Sequence, residues 1–215
     1  MSTLKAPRTL RETANATTTS LTTKASARTA FNQIDKGQAR KRLSEDQGGR
    51  CAFCMDRIDP TSREGDGNAA IRIAHWMPID SKPSLALDWK NLLGSCSSRV
   101  SCDVGQKQAV LATNPTVVGH IAKLDYETVA DTQGNVRILL TSSDSSTSAD
   151  IKVLGLNEGD LPANRHGAWK TFFRLFVRAK TGTYGRPAWR AFFESQTRNP
   201  HQLPPYLGVV EAKLR

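Results

Sequence analysis

The sequence predicts an α+β fold, in which short strands lie close to two pairs of cysteines and helices come before and after them. Three patterns predict it: apolar residues at helical spacing in 26–47 and 161–193, short apolar runs near the cysteines, and an alternating segment at 124–140. A chain of 215 residues can bury one core, or a small domain with a helical extension. It contains no run of about 18 apolar residues, so no membrane span is expected.

The elements before and between the cysteines are short. Residues 26–47 have near-helical spacing, and "GG" at 48–49 is a typical helix stop just before Cys51. "AAIRIAHWMPI" (69–79) predicts a strand that ends at its proline. "SLALDWKNLLGSC" (84–96) is a second apolar segment, and "DVGQKQAVLA" (103–112) predicts a short helix.

The second half of the chain combines a hairpin with aromatic helices. Residues 124–140 alternate around "TQGN" and predict a β-hairpin, whereas "TSSDSSTSAD" (141–150) has the composition of a polar linker. An apolar stripe predicts a helix from residue 161, and a shorter helix carries Trp189, Phe192 and Phe193. Because the aromatic residues follow the apolar face, they are expected to pack rather than to stack on bases.

Basic residues are concentrated at the two ends of the chain. The net charge is +10; residues 1–50 carry ten Lys/Arg and four acids, and residues 161–215 carry ten and two. Such arms suit a polyanion such as nucleic acid, and Arg40, Lys41 and Arg42 are candidate contacts. A solvated surface or an acidic protein partner is the alternative.

The N-terminal residues 1–29 are expected to be a flexible or partner-ordered lead. They are rich in Thr, Ser and Ala and have little apolar periodicity. No apolar segment follows the basic residues, which argues against a secretory signal and favours a cytoplasmic protein.

Four cysteines within 52 residues predict a metal site. Cys51 and Cys54 form a C-x2-C pair, and Cys96 and Cys102 are separated by five residues. In a reducing compartment, paired cysteines bind metal more often than they form structural disulfides. Four thiolates around one Zn2+ are favoured over free or redox-active thiols. A zinc ion with four protein ligands has no open position and would be structural.

Three polar residues accompany the cysteines in an order that suggests hydrolysis. Gathering the cysteines would bring His75, Asn91 and Asp103 together, although they are distant in sequence. Phosphodiester hydrolysis would need a separate hard cation to neutralise charge, and a neutral imidazole to accept a proton from water. Taken alone, His75 is better explained as a structural histidine in the core, and Asn91 could simply hydrogen-bond a turn and Asp103 cap a helix.

The chain resembles the HNH (ββα-metal) endonucleases, specifically the zinc-knuckle branch related to the HNH subunit of Septu-type and retron-linked anti-phage systems. The resemblance spans roughly residues 30–215. It lies in "ARKRLSEDQGGRCAFCMDRI" (39–58), "IAHWMPID" (73–80), "DWKNLLGSC" (88–96), "SCDVGQK" (101–107) and "LGLNEGDLPANRHGAW" (154–169). It implies a zinc-stabilised HNH core (30–120), followed by a hairpin and a basic helical extension (121–215).

The resemblance also implies roles for individual residues. His75 matches the general base, Asn91 the residue that braces the hairpin and orients the histidine, and Asp103 a ligand of catalytic Mg2+ or Mn2+. Lys107 matches a weaker candidate for phosphate contact, with ordinary surface charge as its alternative. Arg165 also matches a family position, as a buried ion pair or a substrate contact. The structural zinc ligands are the four cysteines.

Three departures from the family pattern stand out. Ala74 replaces the acid that normally precedes the histidine and helps to bind the catalytic metal. The second cysteine pair is C-x5-C rather than C-x2-C. The expected lysine is displaced by one residue, so that Gln106 stands there and Lys107 follows. Asp80 or Asp103 could take over the missing carboxylate's task.

The sequence therefore supports two main hypotheses. The first is a metal-dependent endonuclease that cuts DNA, or RNA including tRNA, as the effector of an anti-phage system. By resemblance, its partner is an ABC/SMC-like ATPase, with a retron reverse transcriptase assembly as a further candidate, and no membrane is involved. The second is a zinc-stabilised binding or assembly module whose nuclease site has decayed. A zinc-dependent nucleic-acid-binding regulator is a weaker third reading.

Overall fold

The computed structural model describes residues 21–62, 70–179, 185–200 and 202–214, and its architecture is α+β. Two short 3-10 helices, Pro83–Leu85 and Trp89–Asn91, lie between the first two strands. The other elements, in chain order, are α1 (Lys24–Gln33), α2 (Lys36–Asp46), β1 (Ile71–His75), β2 (Leu92–Cys96), α3 (Asp103–Gln106), α4 (Val118–Ile121), β3 (Asp125–Ala130), β4 (Val136–Thr141), α5 (Ser145–Val153), α6 (Leu161–Ala179), α7 (Arg186–Gln196) and α8 (Leu207–Lys213).

The helix predicted over 26–47 is two helices. Ile34 is extended, and the Asp35 side chain accepts a hydrogen bond from the Gln38 backbone N–H, so that a new helix begins at Lys36. Helix α1 begins at Lys24, capped by Thr23, and therefore includes residues 24–29 of the predicted flexible lead. Ala27 on this helix is fully buried, which explains the ordering. Residues 1–20 of the lead lie outside the described residues.

The first hairpin is formed by β1 and β2, which pair antiparallel from Ile71 opposite Cys96 to His75 opposite Leu92. Every residue of β2 is buried. Helix α2 is tied to this hairpin by Gln47, whose side chain donates to the Gly94 carbonyl (2.8 Å) and accepts from the Gly94 N–H (2.6 Å). The predicted strand and apolar segment are thus present, with β1 shorter than the 69–79 prediction.

The second hairpin confirms the prediction for 124–140, because β3 and β4 pair antiparallel from Asp125 opposite Thr141. Helix α6 is joined to β4 by Arg165, which is 2% exposed. Its guanidinium donates to the Ile138 carbonyl (3.4 Å), to the Leu156 carbonyl and to Asn157 Oδ1 (3.1 Å). Arg165 thus binds backbone carbonyls in the interior of the protein. Its described hydrogen-bond partners include no acidic side chain, and it does not line the described grooves.

Replacing Arg165 by methionine should destabilise the fold. The change leaves buried carbonyl oxygens without their donor, and hydrogen bonds to charged groups contribute about 1.5–3 kcal/mol each. We expect the free energy of unfolding to fall by about 2–4 kcal/mol, measured by urea denaturation. The matched control is Arg174→Met on the exposed face of α6. Equal stability of the two variants would contradict the role assigned to Arg165.

Two further elements differ from the prediction. The predicted linker 141–150 contains the start of α5, which Asp144 caps by accepting from the Thr147 N–H (2.9 Å). Helix α8 was not predicted. The aromatic residues pack as expected: the Trp189 ring lies 4.2 Å from that of Phe176 and 5.8 Å from that of Trp169. Within the described ranges, every helix is too short or too polar to cross a lipid bilayer.

Candidate functional site

The four cysteine sulfurs converge on one point. All are buried, and their Sγ atoms lie within 4.8 Å of one another. The Cys54 and Cys96 sulfurs are 3.8 Å apart, far longer than the disulfide bond of about 2.05 Å. A tetrahedral zinc with Zn–S bonds of about 2.3 Å places its sulfurs about 3.8 Å apart. The donor set therefore fits a metal such as zinc.

The first cysteine pair lies in a tight turn. The Cys51 N–H donates to the Asp56 carbonyl (2.8 Å), and the Met55 N–H donates to the Cys51 carbonyl (3.1 Å). Met55 adopts a positive φ of 65°, and the Asp56 N–H points at the Cys54 sulfur (3.4 Å). An N–H directed at sulfur favours the thiolate that a metal ion requires. The turn therefore presents both sulfurs to one site.

The five residues between Cys96 and Cys102 form a compact loop. Cys96 ends β2, and Cys102 directly precedes α3. Between them, Ser98 Oγ accepts hydrogen bonds from the N–H groups of Val100 (3.3 Å) and Ser101 (3.2 Å), which folds the loop back. Cys102 is fully buried and has a positive φ of 62°. The C-x5-C spacing therefore does not prevent convergence.

The thiols of this cluster influence one another. The hydrogen bonds of Cys54 with the other sulfurs, first that of Cys102, raise the pKa of the Cys54 thiol well above its ordinary value, and burial adds to this effect. The pKa of Cys102 is raised as well, first by its hydrogen bond with Cys51. A bound cation would offset the repulsion among thiolates, since metal ligation requires their deprotonation.

His75 ends β1 and lines a groove of about 310 Å3. Its Nε2 lies 3.0 Å from the Ala86 carbonyl oxygen; because a carbonyl can only accept, Nε2 carries the proton and donates it. Nδ1 is then the basic nitrogen of the neutral ring. The Phe31 ring packs edge-on at 4.6 Å. Burial lowers the pKa of His75, the hydrogen bond to the Ala86 carbonyl opposes this shift, and the nearby Lys36 charge lowers the pKa further, so that the neutral ring is favoured.

Asn91 braces the loop that follows His75. It is 3% exposed, and its side chain accepts from the Met77 N–H (2.7 Å). It also donates to the carbonyls of Met77 (3.0 Å) and Leu85 (3.1 Å). Leu85 directly precedes Ala86, whose carbonyl holds the His75 ring. Asn91 therefore supports the loop that contains Ala86, whose carbonyl is the hydrogen-bond partner of His75.

Asp103 is the first residue of α3 and lines the same groove as His75. Cys102, rather than Asp103, occupies the N-cap position. The Asp103 carboxylate lies 4.0 Å from the Arg72 guanidinium. Burial raises the pKa of Asp103, and the Arg72 charge opposes this shift. The groove thus brings together His75 and Asp103, with Asn91 behind the loop.

Gln106 is a groove residue that sequence reasoning assigned no role. It is 2% exposed, and its Nε2 donates to the carbonyls of His75 (3.0 Å), Trp76 (2.9 Å) and Ala109 (3.3 Å). Its buried Oε1 receives no hydrogen bond from any described residue. Asp103 lies three residues earlier on the same short helix and lines the same groove, and a carboxylate and an uncompensated amide oxygen are donor types that fit a hard divalent cation. The only signal in the sequence was its position three residues after Asp103.

The other candidate residues fall in different places. Lys107 is exposed and lines the His75 groove, whereas Arg40 lines a second groove of about 340 Å3 together with Arg72. Lys41 is exposed, and Arg42 forms an ion pair with Asp46 on its own helix (2.9 Å).

Asp80, considered as a substitute for the missing acid, is engaged elsewhere. It pairs with Lys24 and with Arg28 (2.9 Å) on α1, and these contacts lower the pKa of Asp80, Lys24 most strongly. Its carboxylate therefore fastens α1 to the loop after β1, and it is not among the residues that line the His75 groove.

The position of the missing acid is part of the core. Ala74 is 1% exposed and lies opposite Leu93 in the hairpin. Its neighbours Ile73 and His75 both line the groove, and successive side chains of a strand point to opposite faces. The side chain at 74 therefore belongs to the face that packs into the interior.

Comparison with known proteins gives one similarity. The chain is 27% identical over 124 residues to the Septu protein PtuB of Bacillus thuringiensis. The matched region covers 55% of this chain and 40% of that protein, so the chain corresponds to less than half of its length. The similarity supports a relationship to Septu proteins. No protein-family model matches the chain, and no solved structure matches it.

Proposed function

We propose that the chain is a metal-dependent endonuclease of the HNH type that hydrolyses phosphodiester bonds in nucleic acid. The observation that carries the proposal is the groove shared by His75, Asp103 and Gln106, in which Asp103 directly follows Cys102 of the four-cysteine cluster. The similarity to a Septu protein supports a role in anti-phage defence. DNA is the first target to test, and RNA is the alternative.

The proposed reaction uses the neutral imidazole as a base. His75 Nδ1 takes a proton from the water that attacks phosphorus, while the hydrogen bond from Nε2 to the Ala86 carbonyl keeps the ring in the required tautomer. As the new P–O bond forms, the P–O bond to the leaving nucleotide breaks, and the leaving oxygen takes a proton from solvent. Asp103 would hold Mg2+ or Mn2+, which supplies positive charge to stabilise the developing phosphorane. Asn91 keeps the Ala86 loop in place, so that the histidine ring stays oriented during turnover.

The four cysteines would hold a structural zinc ion in this proposal. Cys96 ends the second strand and Cys102 begins the helix that carries Asp103, so the cluster fixes the helix to the hairpin. With four thiolate ligands the ion has no open position for water or substrate. Its contribution would therefore be to hold Asp103 in the groove that His75 also lines.

Basic residues mark a path for the phosphate backbone. Lys107 lies at the His75 groove, and Arg40 lies at the neighbouring groove. Arg72 lines that neighbouring groove and also approaches Asp103, so it joins the two. Phosphate contacts of this kind position a nucleic acid without reading its sequence. We propose that an ABC/SMC-like ATPase of the same defence system controls access to this path.

Replacing His75 by alanine should strongly reduce the rate of cleavage. General base catalysis contributes about 10²- to 10⁴-fold, so the cleavage rate is expected to fall by that factor. The assay measures cutting of plasmid DNA and of total RNA with Mg2+ or Mn2+, with and without the ATPase partner. His166→Ala on α6, outside the groove, is the matched control. Equal cutting by wild type and His75→Ala would remove His75 as the base.

A binding or assembly module is the second candidate function, and Ala74 is the observation that favours it. The groove lacks the acid that related nucleases place before the histidine, and position 74 is buried. This alternative predicts binding of nucleic acid that weakens steeply with salt, with no strand cleavage under any metal or partner condition.

A further inference from the structure

We propose that Gln106 Oε1 is an oxygen ligand of the divalent cation held by Asp103, either directly or through a metal-bound water. This assignment rests on the proposed function and deepens it, because it names a residue that takes over part of the task of the acid absent at Ala74. The resemblance offers no such role, since the related nucleases carry lysine at this position.

The orientation of the Gln106 amide is fixed by its neighbours. Its Nε2 is within hydrogen-bond distance of three carbonyl oxygens, those of His75, Trp76 and Ala109. Carbonyls only accept, so the nitrogen must face them and Oε1 must face the other way. The amide cannot rotate by half a turn without placing its oxygen against these carbonyls. Oε1 is therefore held as an acceptor with no described donor.

The position of the Asp103 carboxylate makes a divalent cation a suitable partner for Gln106 Oε1. Gln106 follows Asp103 by three residues, and side chains at this spacing lie on the same face of a helical turn, about 5–6 Å apart at Cβ. Both line the groove that contains His75. A carboxylate and an amide oxygen are hard donors, and Mg2+ is usually held by one or two carboxylates while it keeps several waters. Two protein oxygens on one helical turn meet this requirement.

The same side chain also links the base to the cation site. By donating to the His75 and Trp76 carbonyls, Gln106 ties the end of β1 to the helix that carries Asp103. Gln106 would then contribute to the distance between the imidazole and the cation, through its nitrogen on one side and its oxygen on the other. A lysine here could keep the contacts to the carbonyls but has no acceptor atom.

The test is Mn2+ binding to the zinc-loaded full chain, measured by electron paramagnetic resonance and by calorimetry. Gln106→Lys retains donors for the carbonyls and removes the oxygen, and we expect it to bind Mn2+ about 10- to 100-fold more weakly. Asp103→Ala should lose groove binding. Gln108→Lys is the matched control, because it adds the same charge at an exposed position of the same groove, and it should bind within about threefold of wild type.

Several outcomes would overturn the assignment. These are wild-type affinity in Gln106→Lys, an equal loss in Gln108→Lys, or no Mn2+ bound at the groove by the wild type. Should Gln106→Lys fail to fold, as seen by circular dichroism, Gln106→Arg provides the same comparison, because its guanidinium also donates hydrogen bonds and has no acceptor atom. Cleavage is assayed separately. If Mn2+ binding depends on Gln106 but the substrate is not cut, the proposed nuclease function is refuted and the Gln106 assignment stands. If cleavage depends on His75 but Mn2+ binding does not depend on Gln106, only the assignment of Gln106 as a metal ligand is refuted.

Discussion

Removing zinc from the four-cysteine cluster is expected to unfold the chain at room temperature. Structural zinc sites contribute apparent free energies of about 10–16 kcal/mol, and whole domains have net stabilities of only about 5–15 kcal/mol. The four thiolates lie in the main core, where they pack with residues of α2, both strands of the first hairpin and α5. Losing the ion would leave mutually repelling, buried sulfurs at the centre of that core.

The measurement is metal content and circular dichroism during titration with a strong chelator. We expect one zinc per chain, and loss of helical signal in step with zinc release. Cys51→Ser and Cys102→Ser should behave as the chelated wild type does. Arg99→Ala, in the exposed part of the loop between Cys96 and Cys102, should keep both zinc and fold. A zinc-free chain with unchanged thermal stability would show that the cysteines serve another purpose.

Introducing glutamate at position 74 is expected to destabilise the protein rather than improve cleavage. Ala74 is 1% exposed and lies opposite Leu93, so the new carboxylate would be buried among apolar side chains. Burying an unpaired charge costs on the order of several kcal/mol, which corresponds to a fall in melting temperature of about 10 °C or more. A carboxylate therefore cannot simply be introduced at this position of the hairpin.

The matched control for this change is Ala130→Glu. Ala130 also lies in an antiparallel strand, but it is exposed, so the added carboxylate remains solvated and stability should change by less than about 0.5 kcal/mol. Melting curves and cleavage are compared for both variants. If Ala74→Glu melts like the wild type and cuts faster, the site is a decayed nuclease that one carboxylate can repair, and the assignment of Gln106 loses its basis.

Sequence patterns predicted most of the fold because most elements have regular apolar spacing. The alternation at 124–140 and the stripe of α6 both correspond to real elements. The break between α1 and α2 was missed because Asp35, a capping residue, also fits the polar face of one long helix. Helix α5 was missed because its Ser/Thr-rich start resembles a linker, although a cap at Asp144 and buried Thr147 stabilise it.

The sequence predicted those parts of the candidate site whose function follows from the residue type alone. Cysteine spacing indicated convergence, and the sulfurs do converge. His75 and Asp103 were expected together, and they line one groove. Gln106 could not be foreseen, because its importance depends on which carbonyls surround its amide. The contact of Asp80 with α1 could not be predicted from the sequence either, since Asp80 and Arg28 are 52 positions apart.

The turn at Cys51–Cys54 and helix α3 are both contacted by residues from the second half of the chain. The Cys102 N–H donates to the Leu154 carbonyl (2.7 Å), and the Met55 carbonyl accepts from the Tyr206 N–H (2.9 Å). A side chain at Gly105 would collide with the Val153 carbonyl oxygen, 2.7 Å from its Cβ. A fragment that stops near residue 120 would thus lack the residues against which α3 packs. Biochemical dissection of this protein therefore has to proceed by point substitution in the intact polypeptide and not by trimming.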